Sequence, residues 1–176
     1  MNFTIRDAAA DDAQAISGIY AHYVLTSRAT FEDVPPELAE MRARMQTVRQ
    51  RGLPWFVAET GGKIAGYAYA SLFHQRCGYR WTVENSVYVQ SDVTGQGIGT
   101  ALLRRLISEC EARGYRHMMA VIGDSANEAS IRLHARLGFA HVGLLPSVGF
   151  KLGRWVDVVY MQRRLGDGSR TPPAAL

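Results

Sequence analysis

At 176 residues, 47% of them hydrophobic and 20% charged, the chain has the size and composition of one globular domain with a sizeable core. A net charge of +4 mildly favours an anionic ligand and is too small to argue for nucleic acid. No segment approaches the ~20 consecutive apolar residues that span a bilayer, and the opening Met1-Asn2-Phe3-Thr4-Ile5-Arg6-Asp7 lacks the apolar run of a secretory signal, so a soluble, cytoplasmic protein is expected.

Phe3 and Ile5 alternate with polar neighbours, which predicts a short strand. Asp11 or Asp12 is placed to cap a helix whose apolar positions include Ile16, Ile19, Tyr20, Tyr23 and Val24. Pro35-Pro36 opens a second helix over residues 37–51, stopped by Gly52 and Pro54. Strands at 55–59 and 64–72 are joined by Gly61-Gly62, a hairpin signal. A strand at 82–89 leads into a helix over 97–113, with Ile98, Leu102, Leu106 and Cys110 on one face and Gly114 as its stop. Cys110 therefore reads as a buried thiol, and with Cys77 it forms no framework spacing. A strand at 117–122, a helix at 127–137 ending at Gly138, and strands at 139–142 and 155–162 complete the order β-α-α-β-β-β-α-β-α-β-β. The sequence divides into one domain over residues 1–165 and a tail, 166–176, rich in Gly, Pro and Ala and expected to be poorly ordered.

The segment Val93-Thr94-Gly95-Gln96-Gly97-Ile98-Gly99-Thr100 carries three alternating glycines between a strand and a helix. Glycine lets a ligand approach the backbone, and the first N–H groups of a helix have no internal partner, so such a turn suits a phosphate or pyrophosphate. A Walker loop requires a Lys after its last glycine, and none follows here. A dinucleotide fingerprint would need glycine at Thr100 or Leu102, and the acidic residue expected about 20 positions later is missing. A plain glycine turn with no ligand fits the same spacing.

Gly-x-Gly-x-Gly running into an amphipathic helix resembles the coenzyme A pyrophosphate loop of the GNAT superfamily of N-acetyltransferases, whose core pattern is Gln/Arg-x-x-Gly-x-Gly/Ala. Gly97-Ile98-Gly99 fills the second half. Thr94 stands where the pattern has Gln or Arg, which removes one amide or cationic side chain and no backbone donor. The element order matches GNAT topology over roughly residues 3–164. Three longer runs resemble the phosphinothricin and methionine sulfoximine/sulfone acetyltransferases: Tyr79-Arg80-Trp81-Thr82-Val83-Glu84-Asn85-Ser86-Val87-Tyr88-Val89, Val121-Ile122-Gly123-Asp124-Ser125-Ala126-Asn127-Glu128-Ala129-Ser130-Ile131-Arg132-Leu133-His134 and Val148-Gly149-Phe150-Lys151-Leu152-Gly153-Arg154-Trp155-Val156-Asp157-Val158. The resemblance implies an α/β GNAT fold, a mixed and mostly antiparallel sheet splayed at the cofactor and flanked by helices. It implies acetyl-CoA as co-substrate and transfer of its acetyl group to the α-amine of a small amino-acid-like acceptor, by direct attack in a ternary complex. A detoxifying or amino-acid-related role and a homodimer follow from the same likeness, the apolar C-terminal strands offering the interface.

Acetyl transfer to an amine needs a base, a positioned thioester, a donor for the carbonyl oxygen and stabilisation of the departing thiolate. The resemblance puts the catalytic carboxylate at Glu84, whose neighbours Trp81, Val83, Val87 and Tyr88 would raise its pKa; a carboxylate paired with an Arg on a strand's polar face is the alternative. Val87, Tyr88 and Val89 are expected to offer main-chain groups to the pantetheine arm, with the Val87 N–H on the carbonyl oxygen. Gly95, Gln96, Gly97, Ile98, Gly99 and Thr100 would hold the pyrophosphate. Asn127 matches a coenzyme contact and also reads as a helix cap, with Ser130 on the same turn. His134 stands where many GNAT enzymes have a Tyr, as general acid or coenzyme contact, and a structural His is the alternative. Arg136 reads as solvated, within reach of a coenzyme phosphate. For the acceptor, Arg76 and Arg80 could clamp a carboxylate, Phe31 matches an aromatic pocket position, and His74, Gln75, Asn85 and Ser86 are further lining candidates.

A protein or peptide N-acetyltransferase is the alternative activity, which would need an open groove. A coenzyme-binding regulator without a base is disfavoured by Glu84. His22, His74, His117, His134 and His141 show no ligand spacing, so no metal is expected, and neither nucleic acid nor membrane is an expected partner.

Overall fold

The computed structural model describes residues 2–173. In chain order its elements are β1 (Thr4–Asp7), α1 (Ala13–Thr26), α2 (Leu38–Gln50), β2 (Trp55–Thr60), β3 (Lys63–Leu72), β4 (Thr82–Val89), α3 (Ile98–Ala112), β5 (His117–Gly123), α4 (Glu128–Arg136), β6 (Ala140–Lys151) and β7 (Arg154–Arg164). The strands form one sheet in the order β1-β2-β3-β4-β5-β7-β6. Every neighbouring pair is antiparallel except β4 with β5.

Alternation along the strands sends successive side chains to opposite faces. On one face the Tyr88 ring meets Tyr20 and Tyr23 of α1, each 5.3 Å away, and stacks on Tyr67 at 5.2 Å. On the other face α3 buries Ile98, Leu102, Leu103, Leu106, Ile107 and Cys110, the three-and-four spacing of an amphipathic helix. Arg105, at its solvent edge, lies over the Phe56 ring at 4.7 Å. Burial pushes the Cys110 thiol up to about 12, which makes it an inert core group.

Two sequence expectations change. Asp12 does not cap α1 with its side chain. Its carboxylate accepts from the Ala9 N–H at 2.7 Å and from both Arg6 terminal nitrogens at 2.7 and 2.8 Å, tying β1 to the turn before the helix. The Arg6 hydrogen bonds hold its pKa below the usual carboxylate range. The strand expected at 139–142 extends instead to Lys151, because register shifts after His141 and Leu145 pass over Val142 and residues 146–148, and pairing with β7 resumes at Gly143 and Gly149. Residues 166–173 turn back over α3, where Gly166 N–H donates to Glu111 and Arg116 donates to Thr171 and the Pro172 carbonyl.

The loop after α1 is locked against the end of β5. Arg28 pairs with Asp124 at 2.6 Å, and a Cβ on Gly123 would fall 2.4 Å from the Arg28 carbonyl oxygen. Gly123→Ala is expected to destabilise the protein by about 1–3 kcal/mol, because the obstacle is main chain. The check is a lowered denaturant midpoint at unchanged slope.

Candidate active site

Strands β4 and β5 pair only from Thr82↔His117 to Asn85↔Ala120. Beyond Asn85 they part, and the wedge between them is a cleft of about 620 Å³. Its walls are Ser86 to Val89 on one side and Val121 to Gly123 on the other, and it is closed at one end by the glycine turn. Gly99, in the first turn of α3, faces Val87, Val89 and Leu133, which a Cβ there would meet in ordinary contact at 3.5–3.9 Å.

Register identifies which backbone groups face the wedge. Phe73 N–H donates to Thr82 and Gln90 N–H to Ala65, so the even-numbered residues of β4 exchange hydrogen bonds with β3. The odd-numbered residues therefore turn their N–H and C=O toward β5. Past Asn85 no strand meets them, which leaves the Val87 main chain open to the cleft. Val89 likewise faces the cleft, its carbonyl accepting from the Tyr23 hydroxyl at 2.6 Å. By the same logic Asp124 N–H donates to Asp157, so Val121 and Gly123 present main chain from the β5 side. Tyr88, expected to offer its backbone, bonds β3 instead and contributes its ring to the opposite face.

At the closed end Gly95 and Gly97 have φ of 78° and 84°, left-handed values that favour glycine. Gly97 is the N-cap of α3 and carries no capping side chain. The first intrahelical bond is Ala101 N–H to Gly97 O, so the N–H groups of Ile98, Gly99 and Thr100 have no helical partner and converge on the cleft. Uncapped donors at the positive end of a 15-residue helix suit a diphosphate. Across the cleft Asn127 caps α4, its Oδ1 accepting from Ser130 N–H at 3.3 Å, while Arg132 and Arg136 line the same wall.

His134 is 4% exposed. Its Nδ1 lies 2.8 Å from the Ser130 carbonyl and its Nε2 3.0 Å from Asn85 Oδ1, while Asn85 Nδ2 donates to the Met119 carbonyl at 2.8 Å. Burial lowers the imidazole pKa, and the Ser130 carbonyl opposes this only in part. Glu84 lies on the other face of β4, with Ser86 and Tyr88, opposite Ser71 of β3. Its carboxylate has no hydrogen-bond or ion-pair partner among the described residues, and burial pushes its pKa up to about 7. The Arg-paired alternative is not what forms. A carboxylate titrating near neutrality beside an opening in the sheet can take a proton from a bound amine.

The sequence matches the Acetyltransferase (GNAT) family over residues 17–139. A phosphinothricin N-acetyltransferase from Alcaligenes faecalis is 52% identical over 170 residues, covering 97% of this chain and 86% of that one. An L-methionine sulfoximine/L-methionine sulfone acetyltransferase from Pseudomonas aeruginosa is 41% identical over 98% of this chain and 100% of its own. Among solved structures, a GNAT superfamily phosphinothricin acetyltransferase from Sinorhizobium meliloti in complex with AcCoA superposes with a TM-score of 0.96 at 47% identity, covering 99% of this chain and 94% of that one. The chain belongs to the GNAT acetyltransferase family.

In this acetyltransferase the expected cofactor residues Val87, Tyr88, Val89, Gly95, Gly97, Ile98, Gly99, Thr100, Asn127 and Ser130 all line one cleft, together with His134, Asn85 and Ser86. Gln96 is exposed and outside that lining. His74, Gln75, Arg76 and Arg80 are exposed on the β3–β4 connection and do not line the cleft. The His74 ring is held by Phe73 and Tyr79, 4.3 and 4.8 Å away. Phe31 packs its ring where a Gly149 side chain would be, 2.0 Å from the ideal Cβ position.

Sequence reasoning missed a polar cluster on the Glu84 face. Tyr20 donates to Glu32 at 2.8 Å, Arg44 pairs with Glu32 at 2.7 Å, and buried Lys151 donates to the Thr30 carbonyl at 2.7 Å. Burial raises the Glu32 pKa, but the Arg44 and Tyr20 hydrogen bonds outweigh it and leave it lowered. Burial lowers that of Lys151, against the pull of Asp33 and Glu32. Lys151 is one of only two lysines in the chain, which was the available signal. Among the described residues no group of His, Cys, Asp and Glu could hold a metal ion, and no helix is long and apolar enough to cross a membrane.

Proposed function

We propose that the acetyltransferase moves the acetyl group of acetyl-CoA to the α-amine of a small amino-acid-like acceptor of the phosphinothricin, methionine sulfoximine or methionine sulfone type. One observation carries this reading: β4 and β5 part after Asn85 beside an uncapped helix start, and Glu84, one residue before the last pair and on the opposite face from the His134–Asn85 contact, has its pKa pushed up to about 7 by burial. The chain's groups fit acetyl-CoA. Free main chain at Val87, Val121 and Gly123 matches the amides of a pantetheine arm, and the N–H groups of Ile98, Gly99 and Thr100 match its diphosphate. Bound there, the co-substrate supplies an activated acyl carbon.

The acceptor approaches from the Glu84 face. Glu84 takes the ammonium proton, directly or through a water, and so frees the nitrogen lone pair for attack. The Val87 N–H donates to the acyl oxygen as charge develops on it; collapse of the tetrahedral intermediate then breaks the carbon–sulfur bond, and the leaving coenzyme A thiolate takes the second proton lost by the acylated nitrogen. Both ring nitrogens of His134 are already engaged, by the Ser130 carbonyl and by Asn85, so its role is contact with the coenzyme arm rather than proton donation. Arg76 and Arg80, exposed and without acid partners among the described residues, are the candidate clamp for the acceptor's carboxylate. Phe31, resting on Gly149, is the apolar wall of the acceptor side.

The test is release of free thiol from acetyl-CoA with a panel of amines. Turnover on methionine sulfone, methionine sulfoximine or phosphinothricin supports this reading; activity confined to peptides supports a protein N-acetyltransferase. His134→Phe is expected to weaken coenzyme binding and to leave the shape of the kcat–pH profile unchanged; loss of an alkaline limb would make His134 the acid.

The reading includes a homodimer. β6 is an edge strand with Val142, Leu144, Leu145, Val148 and Phe150 exposed, joined by Trp155 of β7 at 65% exposure. An apolar, unpaired edge of this kind is stable in water when a second copy covers it. Light scattering giving twice the chain mass is the expected result.

A further inference from the structure

β6 is an edge strand, and of its 12 residues Lys151 alone is buried, at 3% exposure. A lysine is an unexpected choice for that place, because burial strips its ammonium of water. Its Nζ crosses the fold to donate to the Thr30 carbonyl at 2.7 Å, the one hydrogen bond it makes among the described residues. Glu32 and Asp33, next in the same loop, are the acids whose charge reaches it, and neither forms an ion pair with it among the described residues.

The loop that receives this contact, residues 27–33, borders the cleft at one end and the acceptor side at the other. Ala29 lines the cleft between β4 and β5. Phe31, two residues on, is 42% exposed and lies over Gly149. Gly149 and Lys151 pair in unbroken register with Val156 and Arg154, so their Cβ directions share one face of β6, and the loop is seated on that face. Two anchors hold it. At the cleft end Arg28 pairs with Asp124 at 2.6 Å and its carbonyl backs onto Gly123. At the acceptor end Lys151 holds Thr30, the residue directly before Phe31. Tyr20 links this end to β4: its hydroxyl lies 2.9 Å from that of Thr30 and donates to Glu32, and its ring packs on Tyr88.

We propose that Lys151 is a positioning residue for the acceptor. Its ammonium holds the Thr30 carbonyl and thereby fixes the Phe31 ring, which sets the affinity for the acceptor and leaves coenzyme binding alone. The proposal rests on the reading of Phe31 as the apolar wall of the acceptor side. The separation of the two effects follows from the two anchors. Without Lys151 the Arg28–Asp124 pair still holds Ala29 at the cleft, while Phe31 loses its tether.

The experiment measures acceptor KM, kcat and the acetyl-CoA Kd in the full chain. The acceptor is methionine sulfone, or the amine of the panel that the parent enzyme turns over best. Lys151→Met keeps the apolar stem and removes the buried charge, so it is expected to fold. It should raise acceptor KM about tenfold and leave kcat and acetyl-CoA Kd within about twofold of the parent. Lys151→Arg keeps a cationic donor and should stay within about threefold of the parent KM. Gly149→Ala displaces the same ring from below, because its Cβ would fall 2.0 Å from Phe31 Cε1. It should raise acceptor KM in the same selective way, and the double variant Lys151→Met/Gly149→Ala should show less than the product of the single effects.

A KM raised in Gly149→Ala and unchanged in Lys151→Met would overturn the proposal and leave Phe31 as the acceptor wall. Unchanged KM in both would overturn the wall and the proposal with it. Equal losses of acceptor and acetyl-CoA affinity in Lys151→Met, a rise in Lys151→Arg as large as that in Lys151→Met, or fully multiplicative effects in the double variant would reduce Lys151 to a general structural role and so refute it as well.

Discussion

Glu84→Gln is expected to lower kcat by about 10²–10³-fold while acetyl-CoA binds as before, since the amide preserves shape and cannot accept a proton. The carboxyl is pushed up to about 7 by burial, so the active base form grows as pH rises through that value. In the parent enzyme kcat/KM should therefore climb through about pH 7. In the Gln variant that limb should vanish, leaving only the rise set by the acceptor amine. The same shift predicts a stability effect. A carboxyl whose folded pKa is raised is disfavoured as an anion in the folded state, so the penalty is absent below the unfolded value and complete above the folded one. Glu84→Gln should thus raise thermal stability at pH 8 and leave it unchanged at pH 4. A variant with near-normal turnover would remove Glu84 from the mechanism.

Gly97→Val should weaken acetyl-CoA binding at least about tenfold, because a β-branched residue is strained by about 1–2 kcal/mol at positive φ and the turn must shift to relieve it. Gly97 has φ of 84° and no neighbour within 4 Å of an added Cβ, so the effect comes from the backbone rather than a clash. The turn aims the N–H groups of Ile98, Gly99 and Thr100, and moving it misdirects all of them. Calorimetric titration of the folded variant is the measurement. Parent-like affinity would mean that those amides do not hold the diphosphate.

Local signals in the sequence were sufficient where one segment determines its own shape. The three-and-four spacing from Ile98 to Cys110 and the glycines around Gly97 define α3 and its exposed start without help from the rest of the chain. β6 was only partly legible, because Gly143, Pro146 and Gly149 are loop residues locally and become strand residues only through bulged pairing with β7. Asp12 reads as a cap because that role is local, whereas its partner Arg6 is on β1. The cleft itself is a tertiary feature. That Val87 presents its backbone to the wedge while Tyr88 does not depends on the β3 register. Lys151, Thr30, Glu32 and Arg44 come together from segments more than 100 residues apart, a grouping without a periodic trace.

Diffraction from crystals grown with acetyl-CoA tests the central claim most directly. The account predicts the diphosphate on the main-chain N–H groups of Ile98, Gly99 and Thr100, the pantetheine arm between Val87 and Val121, and the acyl carbon on the side of Glu84. Acetyl-CoA seated away from the glycine turn, or a wedge filled by the protein's own side chains, would contradict it.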